Sequence, residues 1–513
     1  MLDMIPITDC VISDQVVIMG DGEIIRPDQV SETGERVGGM DAGNFDILIA
    51  WIPIVQKRVP QIKKKGQRFQ KMISDRIPLN FLYYSHSHAF ARFGTMKKLM
   101  SMTEEEMTEK RCDSTSPYKE RDCCITWAKD HWQTVRRLLA LALGSRLLLI
   151  LAGWIANYYP KNPTYQRYID QGFQFTPRWL IDMWCRWDSS WYLSIAGGGY
   201  SAGESLGNAY SNMAFFPLYP GLVRLLTFWF PPSIQSPTLL LTAGLMISNL
   251  CFFASIVLLY ALTLRLTGNE AAAGRAALLT VCLPAAYIFS AFYTESLFFF
   301  LSLCVCVAAE RDRWALSAIF AALAALTRAN GFVIVLVPAW IYMSRRGWDF
   351  RKLGWRWTWF LLVPLAIAAH FFTLYLKTGN FFAFFMAQKA WARGTVSPIG
   401  ILRESIDALR DPSPQLAILD RAAFVAYLTI SAWAIWREKT LRAYAVYATG
   451  LMLAYGASGL MYSMTRYTLV VFPAVIFASL RIRSEEAFRW LCAALAVIQT
   501  LLWIGWTNYY WIC

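Results

Sequence analysis

Residues 238–264 read TLLLTAGLMISNLCFFASIVLLYALTL, 27 positions without a charge. A helix needs about 20 such residues to cross a bilayer, so the stretch reads as a membrane span and not as the core helix of a soluble domain. Similar apolar runs recur from Leu138 onward. Length and breakers place about eleven spans, at 138–158, 238–264, 274–291, 293–309, 313–327, 330–344, 357–376, 417–436, 441–459, 467–480 and 488–507. The expected fold is an all-α polytopic membrane protein over residues 137–513. Composition agrees: 56% of the 513 residues are hydrophobic, 15% aromatic and only 16% charged, against about 25% charged in an ordinary soluble domain. Mean hydropathy is +0.36. A soluble enzyme, a disordered chain and a collagen-like fibre are thereby excluded.

Lys and Arg number 49 against 35 Asp and Glu, a net charge of +14, yet residues 1–136 hold 19 of each sign. The whole excess therefore lies among the apolar runs, where it reads as positive-inside loops and contact with phosphate-bearing lipid, with no nucleic-acid partner expected. Five short joints, Arg265 to Arg275, Glu310 to Arg313, Ser344 to Arg356, Arg437 to Arg442 and Arg481 to Arg489, carry fifteen Lys/Arg. The short joints at the opposite ends carry only Arg328 and Arg466. The basic joints are thus expected in the cytoplasm. The connections 159–237 and 377–416 and the C-terminus are expected on the other side.

Residues 1–136 differ in kind. Their longest apolar stretch, Ile47 to Val55, is too short to span, and acidic and basic blocks alternate. They are expected to form a largely disordered cytoplasmic extension. No secretory leader pattern is visible. His86 and His88 read as surface histidines. The eleven cysteines contain no CxxC pair, so neither a disulfide framework nor a zinc site is expected.

The connection 159–237 carries the densest chemistry. Arg186-Trp187-Asp188-Ser189-Ser190-Trp191-Tyr192 is followed by Gly197-Gly198-Gly199-Tyr200 and then by Ala214-Phe215-Phe216-Pro217-Leu218-Tyr219-Pro220. Aromatic, partly amphipathic sequence beside a bilayer belongs in the interface. Asp188, flanked by two tryptophans at that depth, suits a base that takes a proton from a hydroxyl. Equally, it could simply cap a re-entrant helix. Spacing alone weighs the two evenly.

These motifs, with Ser145-Arg146, Tyr293-Thr294-Glu295-Ser296, Thr327-Arg328-Ala329-Asn330-Gly331 and Arg466-Tyr467 ahead of Pro473, occur in an order that resembles the PIG-V family. That family comprises glycosylphosphatidylinositol mannosyltransferase 2 and its prokaryotic relatives, in the GT-C superfamily. The resemblance covers roughly residues 138–480. It implies a GT-C-like bundle with interfacial helices in the first outer loop, and a catalytic Asp there, at Asp188. It also implies mannose transfer from a polyprenyl-phosphate (dolichyl-phosphate) donor to a glycolipid or glycan acceptor, by inversion. Membrane lipid is a further expected partner, with room for an accessory membrane subunit.

The residues fit such chemistry. A leaving lipid monophosphate develops charge that guanidinium groups can neutralise without a metal, and Arg328 and Arg466 are the candidates. Both could instead snorkel. Arg186, Trp187, Asn330 and Tyr467 join them as candidate substrate contacts. Glu295, in a tight joint between spans, can contact substrate or pair with an arginine. Arg146 lies about 13 Å into its helix beyond Arg137, too deep for a flanking charge, and calls for a partner such as Glu295 or a phosphate. His370 reads as a hydrogen-bonded core histidine. No Asp-x-Asp and no P-loop lysine is present, so no metal or other cofactor is expected. A transporter or flippase of a lipid-linked sugar is the competing reading. It would favour internal repeats, and none is visible. The outer loops hold no Asn-x-Ser/Thr sequon free of Pro, which favours a bacterial plasma membrane. If the source is eukaryotic, the endoplasmic reticulum membrane is expected.

Overall fold

The computed structural model describes residues 11–13, 16–18, 24–25, 131–201, 211–231, 236–389, 397, 400, 403, 417–458 and 462–512. The chain divides into two units, Met1–Lys119 and Glu120–Cys513. In the first, three short strands, β1 (Val11–Ser13), β2 (Val16–Ile18) and β3 (Ile24–Ile25), pair antiparallel in sequence order. Otherwise, the expected disordered extension and the His86 and His88 reading lie outside the described residues.

In the second unit every regular element among the described residues is helical. It opens with α1 (Trp132–Ala156). The outer connection folds into α2 (Tyr165–Asp170), α3 (Trp179–Asp182), α4 (Ser189–Gly198) and α5 (Leu218–Thr227). Then come α6 (Pro237–Thr267), α7 (Glu270–Cys282), α8 (Glu295–Glu310), α9 (Trp314–Ala325), α10 (Leu336–Ser344), α11 (Leu362–Thr378) and α12 (Ala383–Lys389). The chain finishes with α13 (Ala417–Arg437), α14 (Arg442–Gly456), α15 (Met464–Tyr467), α16 (Phe472–Arg481) and α17 (Glu485–Thr507).

Among the described residues, five helical stretches are long and apolar enough to cross a membrane: Trp132–Ala156, Pro237–Thr267, Trp355–Thr378, Ile418–Arg437 and Glu485–Thr507. A sixth arises if Met464–Val470 and Phe472–Arg481, bent by 80°, count as one broken span. The protein is therefore a multi-pass membrane protein whose second unit is all-α, as the apolar runs require. Several of the eleven expected spans are shorter as helices than as apolar sequence. The run 274–291 ends its α-helix at Cys282 and continues as a 3-10 turn, Ala286–Ser290, while 330–344 starts as another, Gly331–Val335. Backbone of this irregular kind is tolerated at membrane depth only where protein buries it, and Tyr287, Phe289, Phe292 and Tyr293 at this break are fully enclosed.

Two glycines permit the close approaches that build the outer end. A Cβ on Gly244 would meet the Phe292 ring at 2.2 Å, so α6 can press against the turn that precedes α8 only without a side chain there. A Cβ on Gly331 would meet the Ala324 carbonyl oxygen at 2.2 Å. That explains the glycine after Arg328: the chain doubles back tightly on the end of α9. The Leu218 N–H then donates to the Leu326 carbonyl at 3.0 Å, tying the start of α5 to the same corner.

Candidate active site

Trp187 stands at φ 50°, in the left-handed region that a bulky residue seldom adopts. That single residue sends its two neighbours apart. Arg186 turns into the protein, where it pairs with Asp182 at 2.7 Å, donates to the Asp182 and Cys185 carbonyls at 2.6 Å each, and reaches the Thr507 carbonyl at 3.3 Å. Its guanidinium also lies 4.0 Å from the Tyr509 ring centroid. The Trp187 indole packs among Tyr168, Phe173 and Trp511. Arg186 and Trp187, read from sequence as substrate contacts, thus lock the corner onto the end of α17.

Asp188 points the other way. It precedes α4 as its N-cap residue, yet its side chain makes no capping hydrogen bond. The helix is started by its backbone carbonyl, which accepts from Trp191 and Tyr192. The carboxylate instead accepts from Arg466 Nη1 at 2.9 Å through Oδ2. The capping alternative is thereby answered by geometry.

Arg466 lies on α15, in the first arm of the pair bent by 80°, and its Nε is 3.3 Å from Glu295 Oε1. Glu295 opens α8 and also pairs with Arg328 Nη1 at 2.5 Å. Asp188, Arg466, Glu295 and Arg328 form an alternating chain of charges drawn from four separate elements. Isolated buried charges cost several kcal/mol each, and alternation lowers that cost. Tyrosines line the chain. Arg466 donates to the Tyr467 hydroxyl at 3.1 Å, and its guanidinium lies 5.1 Å from the Tyr293 ring centroid. The Arg328 guanidinium lies 5.2 Å from the Tyr467 ring, which stacks on Tyr455 at 5.0 Å. The Tyr293 hydroxyl donates to the Arg186 carbonyl at 3.0 Å and accepts from the Asp188 N–H at 3.2 Å, pinning the corner to α8. Burial, then the Glu295 and Asp188 carboxylates, push the Tyr192 phenol above its ordinary range, so it stays protonated beside them.

Exposure separates the members. Side-chain exposure is 1% for Glu295, 7% for Arg466 and 10% for Arg328, against 19% for Asp188. Of the two carboxylates, Asp188 is the one a hydroxyl from outside can meet, while Glu295 is closed between guanidinium groups.

Three sequence candidates lie elsewhere. Among the described residues, Arg146 pairs with neither Glu295 nor another carboxylate. Its Nη1 donates to the Ala286 carbonyl at 2.9 Å and to Ser290 Oγ at 3.3 Å, and the guanidinium sits 4.5 Å from the Phe252 ring centroid. The Ala286–Ser290 turn thus supplies one carbonyl and one hydroxyl to the arginine, and Ser145 Oγ accepts from its Nε at 3.1 Å, while its buried Nη2 has no hydrogen-bond partner among the described residues. Asn330 starts the 3-10 turn Gly331–Val335, its carbonyl accepting from Val333, and makes no side-chain hydrogen bond to the four charges among the described residues. His370 is buried with neither ring nitrogen hydrogen-bonded, among the rings of Tyr200, Phe216 and Phe371. It is a core histidine, but not the hydrogen-bonded one expected.

Asp420 carried no comparable signal. It sits near the start of α13, where a carboxylate reads as an ordinary flanking charge, yet it is 5% exposed and hydrogen-bonded to the turn before Arg466. With Arg421 directly after it, the sequence offers no sign that Asp420 is buried.

A multi-pass helical protein with one part-exposed carboxylate anchored to a line of buried charges is the class that fold and geometry define. The sequence supplies a likeness: residues 169–392 match the family model described as Mannosyltransferase (PIG-V). A curated relative, GPI mannosyltransferase 2 of Drosophila pseudoobscura pseudoobscura, is 30% identical over 190 residues, covering 33% of this chain and 39% of the relative. The matched region thus spans well under half of that protein. The family resemblance of the ordered motifs is borne out. Among solved structures, the apo oligosaccharyltransferase of Archaeoglobus fulgidus is similar with a TM-score of 0.44 at 14% identity, over 75% of this chain and 57% of that one. ArnT from Cupriavidus metallidurans bound to undecaprenyl phosphate has a TM-score of 0.42 at 12% identity, over 69% and 63%. Likenesses of that size carry no argument about this chain. Asp188, Glu295 and Arg328 fall inside the family match; Arg466 and Asp420 fall beyond it.

Proposed function

We propose that the protein transfers mannose from a polyprenyl-phosphate donor to a hydroxyl of a lipid-linked glycan, with inversion, and that Asp188 is the base. The observation that carries this reading is the single part-exposed carboxylate, held in place by Arg466 and backed by the buried Glu295–Arg328 pair. The acceptor oxygen attacks the anomeric carbon, its proton passes to Asp188, and the bond from that carbon to the phosphate oxygen breaks on the opposite face. The polyprenyl phosphate leaves as an anion. Arg328 and Arg466, each with five N–H donors of which the ion pairs use few, meet that charge, so transfer is expected to need no metal.

The relative's name points to a glycosylphosphatidylinositol intermediate as the acceptor class, which moves the expected membrane from a bacterial plasma membrane to the endoplasmic reticulum. The site is assigned to the non-cytoplasmic face, because the Lys/Arg-rich joints lie at the helix ends opposite Glu295 and Arg328. The test is incubation of isolated membranes with labelled polyprenyl-phosphate mannose, with and without chelator, followed by identification of the labelled product. Label in a glycolipid, undiminished by chelator, supports the reading. Label recovered only as intact donor on the opposite leaflet would replace it with a flippase.

A further inference from the structure

The outer end holds a third buried carboxylate that the charge chain does not use. Asp420 is 5% exposed and forms no ion pair among the described residues. It instead grips the backbone at the start of α15. Its Oδ2 accepts from the Ser463 N–H at 2.7 Å, and its Oδ1 accepts from the Thr465 N–H at 2.7 Å and from Thr465 Oγ1 at 2.5 Å. Ser463 is in the left-handed region at φ 63°. A non-glycine residue stays in such a conformation only where its surroundings over-determine it, and here the carboxylate holds the amides on both sides of Met464. The next residue after Thr465 is Arg466, the side chain that anchors Asp188.

We propose that Asp420 is a positioning residue: it fixes the Ser463–Thr465 turn so that Arg466 presents its guanidinium between Asp188 and Glu295. This rests on the proposed role of Asp188, but the geometry of the turn is independent of any reaction. A carboxylate suits the task because three donors converge on two oxygens that only accept. An amide would bring an NH2 group against one of those donors. In Asp420→Asn the turn is expected to loosen and Arg466 to lose its fixed angle, so that turnover falls about tenfold to a hundredfold while the half-saturating donor concentration changes much less.

The experiment pairs two readouts on the full-length protein. The first is hydrogen exchange of the segment 462–467, which needs no activity. Asp420→Asn should speed exchange there and leave α8 protected. Thr465→Val, which removes one of the three donors and keeps the fold, should do so more weakly. The second is a double-mutant cycle in the mannose-transfer assay: once Arg466 is replaced by Lys, Asp420→Asn should cost little further activity, because both act through one contact. Fully additive losses, or unchanged exchange at 462–467 in the Asn variant, would overturn the positioning role. If wild-type protein transfers no mannose while the exchange result holds, the proposed function fails and the turn assignment stands.

Discussion

Helix α8 begins at Glu295 and ends at Glu310, about 22 Å away at 1.5 Å per residue, and its two carboxylates have different fates. Glu295 is 1% exposed and closed between Arg328 and Arg466. Glu310 sits in a looser, wetter set: it accepts from Tyr444 at 2.8 Å and lies 3.3 Å from Arg345, which also pairs with Asp312 at 2.7 Å. Arg275–Glu485 and Arg481–Glu438 complete that end, each pair with one partner more than half exposed. The charges at the Glu310 end need only water and approximate pairing. The outer charges must be satisfied by one another, and so they are held at fixed distances by Gly244, Gly331, Tyr293 and the left-handed Trp187.

That contrast predicts unequal costs. Glu295→Gln leaves Arg328 and half of Arg466 without their counter-charge in the interior. The expected destabilisation is about 3–5 kcal/mol, the usual consequence of removing one partner of a buried pair, with loss of transfer. Thermal unfolding in detergent measures it, and a shift no larger than that of a surface variant would remove the distinction between the two ends. Gly331→Ala should come next. Its Cβ clashes with the Ala324 carbonyl, and relief by backbone movement costs about 1–3 kcal/mol while displacing Arg328, so transfer falls even in protein that remains folded. Glu485→Gln should have the smallest effect. Its side chain is 58% exposed, such pairs contribute about 0–1 kcal/mol, and transfer should be unchanged. A drop in turnover for that variant would show the two ends to be coupled.

Much of the outer end is legible in the sequence because charge between apolar runs is rare enough to stand out. Asp188, Glu295, Arg328 and Arg466 each announce themselves in that way, and the structure brings all four together. Their pairing is not legible, since it depends on the 80° break before α16 and on breaks within apolar runs that look continuous. Arg186 and Trp187 lie away from the four charges for a related reason. Trp187 itself takes a left-handed conformation that turns Arg186 and Asp188 apart, and sequence does not disclose such a conformation for a tryptophan. Arg146 resembled a charge in need of a carboxylate or a phosphate, and found the Ala286 carbonyl and the Ser290 hydroxyl instead. Asp420 was invisible because two of its three donors are backbone amides and the third is the hydroxyl of a distant threonine, none of which leaves a mark in sequence.

The central claim is that Asp188 accepts the proton of the acceptor hydroxyl, and Asp188→Asn tests it most directly. Asparagine keeps the shape and can still accept from Arg466, so folding and donor binding should survive. Removal of the basic oxygen should lower transfer at saturating labelled donor by roughly 10²–10⁴, the usual worth of general-base catalysis. Near wild-type turnover in that variant would contradict the account and leave Asp188 as an anchor for Arg466 alone.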